Sequence, residues 1–184
     1  MKAPPPEWRA VHEAGHALVA EHVGRRVLLA TIEPVEGAYG GVLYEDGPDD
    51  DGHALLLAAG MAGEYHVFGI HHFGGVPARY AEAANVVTTM EELVGPRVGR
   101  DDAARIAAHI REQGDTGGVA AMEVRLAEYV ARACTIIKDH ALAFGSLYEA
   151  LIEQRTLTGD EVRAVMREAG RHANIEIVAE TDER

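Results

Sequence analysis

Two histidines four residues apart, with a glutamate directly after the first, are the residues of this chain best suited to chemistry: His12, Glu13 and His16 in the pentapeptide HEAGH. On an α-helix, residues i and i+4 project from one face a turn apart, so both imidazoles can reach a single metal ion. Zinc is the natural cation for such a pair. A carboxylate at the second position can reach a water in an open zinc position without binding the metal itself. That is the layout of metal-assisted peptide hydrolysis, with Glu13 as general base. The plainer alternative is a surface helix with two solvated histidines. Against it, Ala10, Val11, Ala14, Ala17, Leu18 and Val19 surround the motif with apolar surface. Such a helix is buried on much of its circumference, and buried histidines need partners that a metal would supply. Gly15 costs helix stability relative to alanine, which suits a position that another backbone or a substrate approaches closely.

The remaining polar groups carry less. The acidic stretch EDGPDDDG, Glu45 to Gly52, reads as a solvated turn, with a cation or partner site as the alternative. His71 and His72 are adjacent, and adjacent side chains of an extended segment point in opposite directions, so a loop pair without metal is expected there. His109 and His140 fall in helical patterns as surface or packing residues. The single cysteine, Cys134, lies in an apolar helical pattern, which excludes a disulfide framework or a cysteine-based zinc site within one chain. It also points to a reducing, cytoplasmic location. With 17 basic against 30 acidic residues the formal charge is −13, which opposes nucleic acid and anionic membrane as partners. The N-terminus MKAPPPEW lacks the apolar core of a signal peptide, and no apolar run reaches membrane-spanning length, so no membrane anchor is expected.

The elements that must position these residues fit one core. At 184 residues, 47% of them hydrophobic, a single domain is expected. VLLATIEPV (Val27 to Val35) and AYGGVLYE (Ala38 to Glu45) read as two adjacent strands punctuated by Pro34, Gly37, Gly40 and Gly41. His53 to Gly69 is apolar at helical spacing and should pack against the HEAGH helix. A helix is expected from about Ala78 to Leu93, broken by Gly95-Pro96, and another opens at Asp101 or Asp102 with Ala103, Ile106, Ala107 and Ile110 as its inner stripe. A long amphipathic helix runs from Val119 to Phe144, and a shorter one follows through Leu147 to Gln154. Thr158 and Glu161 form a capping-box pattern opening a final helix to about Ala169, with Gly170 at its end. The organisation is a flexible start (1–6), a zinc-binding part with a small sheet (7–118), C-terminal helices (119–170) and a polar tail (171–184). The fold class is α+β, mainly helical and zincin-like.

The order of these features resembles the peptidase domain of the FtsH-type membrane AAA zinc proteases. The matching words are AVHEAGHALVA, ATIEP, YGGVLY, MAGEYHVFG and the closing AEYVARACTIIKDHALAFGSLYEALIEQRTLTGDEVRAVM, spanning about residues 7 to 168 in separate blocks. The resemblance implies Zn²⁺ held by His12, His16 and an aspartate that opens a later helix. By position that aspartate is Asp102, with Asp101 as N-cap. Two alternatives stand: both aspartates merely cap the helix and complement its dipole, or Glu64 supplies the third ligand, as glutamate does in other zincins. The HEAGH helix begins almost at the first residue, so a standalone peptidase, ATP-independent by itself, is expected. The segment from Gly69 to Asp101 is longer than its counterpart and REQGDTGGVAA is shorter, which implies an altered rim around the site.

A polypeptide substrate would add as an extended strand beside YGGVLY, with Gly40, Gly41 and Val42 as the substrate-binding residues. The two glycines would permit close backbone approach, or else serve a bulge or turn. The competing reading is a binding or regulatory module that keeps the peptidase fold, and even zinc, without useful proteolysis. Intact Glu13 favours the enzyme, because a structural zinc site has no need of a general base and usually has four protein ligands. The apolar positions of the long helix, Val124, Leu126, Val130, Ile136 and Ile137, could pack internally or against a second copy in a homo-oligomer, and internal packing is expected.

Overall fold

The computed structural model describes residues 5–35, 39–47, 50–68, 102–112 and 118–182. The HEAGH motif lies on helix α1 (Pro6–His22), which starts with proline at its first position. Proline there has its φ pre-set and lacks an N–H that would go unpaired in any case. The chain leaves α1 through Gly24, whose φ of +79° lies in the left-handed region that glycine enters without a steric penalty. It then forms strand β1 (Val27–Thr31), which pairs antiparallel with β2 (Gly41–Tyr44), Thr31 opposite Gly41 and Ala30 opposite Val42. A third strand, β3 (Thr156–Thr158), pairs with the other side of β1, so the sheet order is β2-β1-β3.

The first two strands are shorter than expected from the sequence. β1 stops at Thr31, three residues before Pro34. Gly40 lies before β2 and Gly41 is its first residue. The irregularity in the pairing sits across the sheet, on β1 between Val27 and Leu29.

Helix α2 (Asp51–Phe68) begins where the acidic stretch ends. Asp50 Oδ1 accepts the His53 N–H at 3.1 Å, the ordinary N-cap arrangement, and also accepts from Arg25. Asp51 accepts from Tyr129 Oη at 2.8 Å and from Arg132 at 3.2 Å. The described residues of the acidic stretch are mostly exposed, as a solvated turn is, and its last aspartates also cap and tie down the helix. From Ala54 to Gly60 every residue of α2 is buried, as expected of a helix apolar all round. α2 packs along α1 so closely that a Cβ on Gly15 would stand 2.3 Å from the Ala59 carbonyl oxygen. The close approach that Gly15 anticipates is that of a neighbouring backbone.

Helix α3 (Asp102–Glu112) buries Ile106 and Ile110 in the core. Helix α4 (Gly118–Asp139) packs on α2, helix α5 (Ala141–Gln154) on α1, and helix α6 (Gly159–Asp182) on α5. Leu126, Val130 and Ile137 of α4 are buried within the chain, Ile136 is half-buried and Val124 is exposed. The expected long helix to Phe144 breaks earlier, at His140. The break places Phe144, Leu147 and Leu151, spaced three and four apart, on one buried stripe of α5, and Gly145 sits inside that helix. The capping box is present: Glu161 Oε2 accepts the Thr158 N–H at 2.7 Å, and Thr158 Oγ1 lies 3.4 Å from the Glu161 N–H. Gly170 does not end α6, which continues to Asp182. An interior glycine costs a helix only about 1 kcal/mol, and Gly170 does not take the positive φ of a helix stop.

The architecture is thus α+β, mostly helical around a three-stranded antiparallel sheet. The expected helix from Ala78 to Leu93, His71, His72, Gly95-Pro96 and the Asp101 cap lie outside the described residues. Among those described, no helix is long and apolar enough to cross a membrane.

Candidate metal centre

α1 presents His12 and His16 one turn apart, and α3 brings Asp102 to them from 90 and 86 residues further along the chain. The two Nε2 atoms are 3.1 Å apart, and Asp102 Oδ2 lies 3.2 Å from each. A tetrahedral ion with bonds of 2.0–2.1 Å has its ligand atoms about 3.3 Å apart, so this near-equilateral triangle matches one face of such a site. The three residues form a group that could hold a metal ion.

The outer ring nitrogens decide which electron pairs face inward. His16 Nδ1 lies 2.8 Å from the Leu56 carbonyl oxygen, which can only accept, so Nδ1 carries the hydrogen. His12 Nδ1 lies 2.9 Å from Glu64 Oε1 and donates to that carboxylate. In neutral imidazoles both Nε2 atoms then present lone pairs, and they face a carboxylate oxygen. Three electron-pair donors at this spacing repel one another unless a cation sits among them. Without a metal, a proton fills that need. Burial disfavours the charged form of His12, but hydrogen bonds to Asp102 and Glu64 and the charge of Glu13 outweigh it and hold its pKa well above 6.5. Burial likewise opposes the charge of Asp102, yet His16 and His12 hold its carboxyl well below the usual carboxylate range.

Glu64 is therefore placed behind His12, on the nitrogen remote from the cluster, where a carboxylate fixes tautomer and ring orientation. Gly60, one turn earlier on α2, was not signalled by sequence reasoning. A Cβ there would stand 2.4 Å from His12 Nε2 and 2.5 Å from His16 Nε2. The imidazoles occupy the space that a side chain would fill, and no local pattern in LAAGMAGE reveals this.

Glu13 is buried, and its Oε1 lies 2.6 Å from where a Cβ on Gly40 would be. Burial pushes its carboxyl above the ordinary value, against the lowering influence of His12 and His16. Arg9 Nη1 donates to the carbonyls of Ile32 and Tyr39, clamping α1 to the chain just before Gly40. Glu13, the cluster and Gly40, Gly41 and Val42 all line one cavity of about 380 Å³. His109 is buried beside the Tyr129 ring, and His140 is exposed with its ring 5.2 Å from that of His22.

No protein-family model matches this chain, and no curated protein matches it. The cavity joins two imidazoles and the Asp102 carboxylate, which face one another, with the Glu13 carboxylate beside them.

Proposed function

We propose that the protein is a zinc metallopeptidase with a zincin-like fold, related to the peptidase domain of the FtsH-type proteases. The observation that carries this reading is the convergence of two lone-pair nitrogens and one carboxylate oxygen in a cavity that also holds Glu13. The same donor set suits iron(II). A buried glutamate outside the ligand triangle, with room for substrate beside it, favours hydrolysis.

His12, His16 and Asp102 would hold the ion. Bound there, zinc supplies a Lewis acid that acidifies water and polarises a peptide carbonyl. Glu13 takes the proton of the attacking water and returns it to the departing amine as the carbon–nitrogen bond breaks, so the carboxylate is regenerated each turnover. Glu64 and the Leu56 carbonyl keep both imidazoles in the tautomer that leaves Nε2 free. Among the described residues β2 pairs only with β1, and its other edge offers main-chain groups to an extended substrate. Gly41 and Val42 supply that edge, while Gly40 leaves room for the Glu13 carboxylate.

The test is Glu13→Gln in zinc-loaded protein given an unfolded polypeptide. Cleavage should fall by about 10²–10⁴-fold while bound zinc is unchanged. Equal cleavage by both proteins contradicts the assignment of Glu13. A zinc-loaded wild type that cleaves nothing leaves the binding-module alternative.

A further inference from the structure

Arg105 lies on α3 one turn after Asp102 and lines the same cavity as Glu13 and Gly40 to Val42. Its side chain is 38% exposed, and among the described residues its one charged partner is Asp102 Oδ1, at a long 4.0 Å. The other oxygen of Asp102 faces the two histidines. Arg9, the second arginine of the cavity, already donates to two carbonyls. Besides His12, His16, Tyr39 and Tyr44, the remaining ionisable lining is acidic: Glu13, Glu64 and Asp102. A chain of net charge −13 repels anionic ligands in general, so a cavity that takes one needs a local cation. Arg105 offers such a cation, with a planar fork of donors whose one charged contact among the described residues is the distant one to Asp102.

We infer that Arg105 is a specificity residue that receives a carboxylate of the bound polypeptide. Two sources have this chemistry, an aspartate or glutamate side chain and the free C-terminus. Because Arg105 stands one helical turn from Asp102 and lines the same cavity, the recognised carboxylate falls within roughly two residues of the reacting bond, at about 3.3–3.6 Å per extended residue. The inference rests on the peptidase reading of the cavity for the meaning of that bond, and its test is a binding measurement that needs no turnover.

The protein for this test is zinc-loaded Glu13→Gln. Its probes are fluorescent alanine pentapeptides, amidated and carrying one aspartate at each position in turn, their asparagine counterparts, and the all-alanine peptide with a free C-terminus. At least one carboxylate peptide should bind about tenfold or more tighter than its neutral counterpart, and the preference should weaken with salt. Adding Arg105→Gln should abolish the preference, and Arg105→Lys, which keeps the charge without the fork, should restore part of it. An aspartate preference identifies acidic side chains as the ligand, and a preference for the free terminus identifies the C-terminal carboxylate. No preference, or one that survives Arg105→Gln at unchanged zinc content, overturns the inference; survival would mean that the carboxylate binds the metal instead. If the preference holds while wild-type protein cleaves none of these peptides or unfolded chains, the peptidase reading fails and this one stands.

Discussion

The two walls of the cavity are held very differently. On the α1–α2 wall, backbones approach to the limit that Gly15 allows, Gly60 leaves the space the imidazoles fill, and each outer ring nitrogen has its own partner. On the α3 wall, Asp102 stands at the first residue of an eleven-residue helix whose described anchors in the core are Ile106 and Ile110. One wall is fixed by packing before any ion arrives. The other supplies the charge and completes the triangle. The contrast teaches that histidine geometry is a property of the folded core, whereas the position of Asp102 is the element that ion binding can stabilise.

The sharpest way to break this comparison is Gly60→Ala. The added methyl would stand within 2.5 Å of both Nε2 atoms, and neither ring can move without losing its partner behind it. Metal binding should fall by more than about 100-fold, well beyond the effect of losing an orienting contact. Calorimetric zinc titration measures this, and near-native affinity would show that the packed wall is softer than described.

Glu64→Gln should be milder, weakening zinc by about 10–100-fold with stoichiometry intact, because the amide can still accept from His12 but carries no charge. If it matches Gly60→Ala in severity, Glu64 belongs among the ligands. Acidity should act in the same range. In the metal-free protein the raised pKa of His12 favours a proton in the cluster, which zinc must displace. Zinc affinity should therefore rise with pH, by up to about tenfold per unit, until His12 no longer holds a proton. Stability of the metal-free protein runs the other way. The His12 contribution is complete below its ordinary value of 6.5 and is lost as pH rises through the higher folded value. Thermal unfolding with and without zinc across pH 5–9 checks both signs. The smallest expected effect is local: zinc should slow amide exchange more in residues 102–112 than in α1. Equal protection of the two walls would erase the distinction between them.

Much of the packed wall was legible in the sequence. Helical periodicity is local, so the HEAGH helix, the buried α2 and the close approach at Gly15 follow from neighbouring residues. The same holds for the capping box at Thr158 and Glu161, three residues apart. The contacts that complete the site join residues far apart in the chain: Glu64 with His12, Gly60 with two rings on another helix, Asp102 with both histidines. No period or spacing encodes these. A family resemblance, not a local pattern, points to Asp102, and no spacing in the sequence shows that the Glu64 carboxylate meets the outer nitrogen of His12. β3 escaped notice because a three-residue edge strand shows too little alternation to read. The break at His140 escaped because glycine at 145 is the stronger local signal and tertiary packing overrides it.

The most direct measurement is zinc content by elemental analysis after dialysis, on wild type, Asp102→Ala and Glu64→Ala, each shown to be folded. One zinc per wild-type chain, lost from Asp102→Ala and kept by Glu64→Ala, is the expected result. Zinc lost from Glu64→Ala and kept by Asp102→Ala, or no zinc in the wild type even when metal is supplied, would contradict the proposed centre.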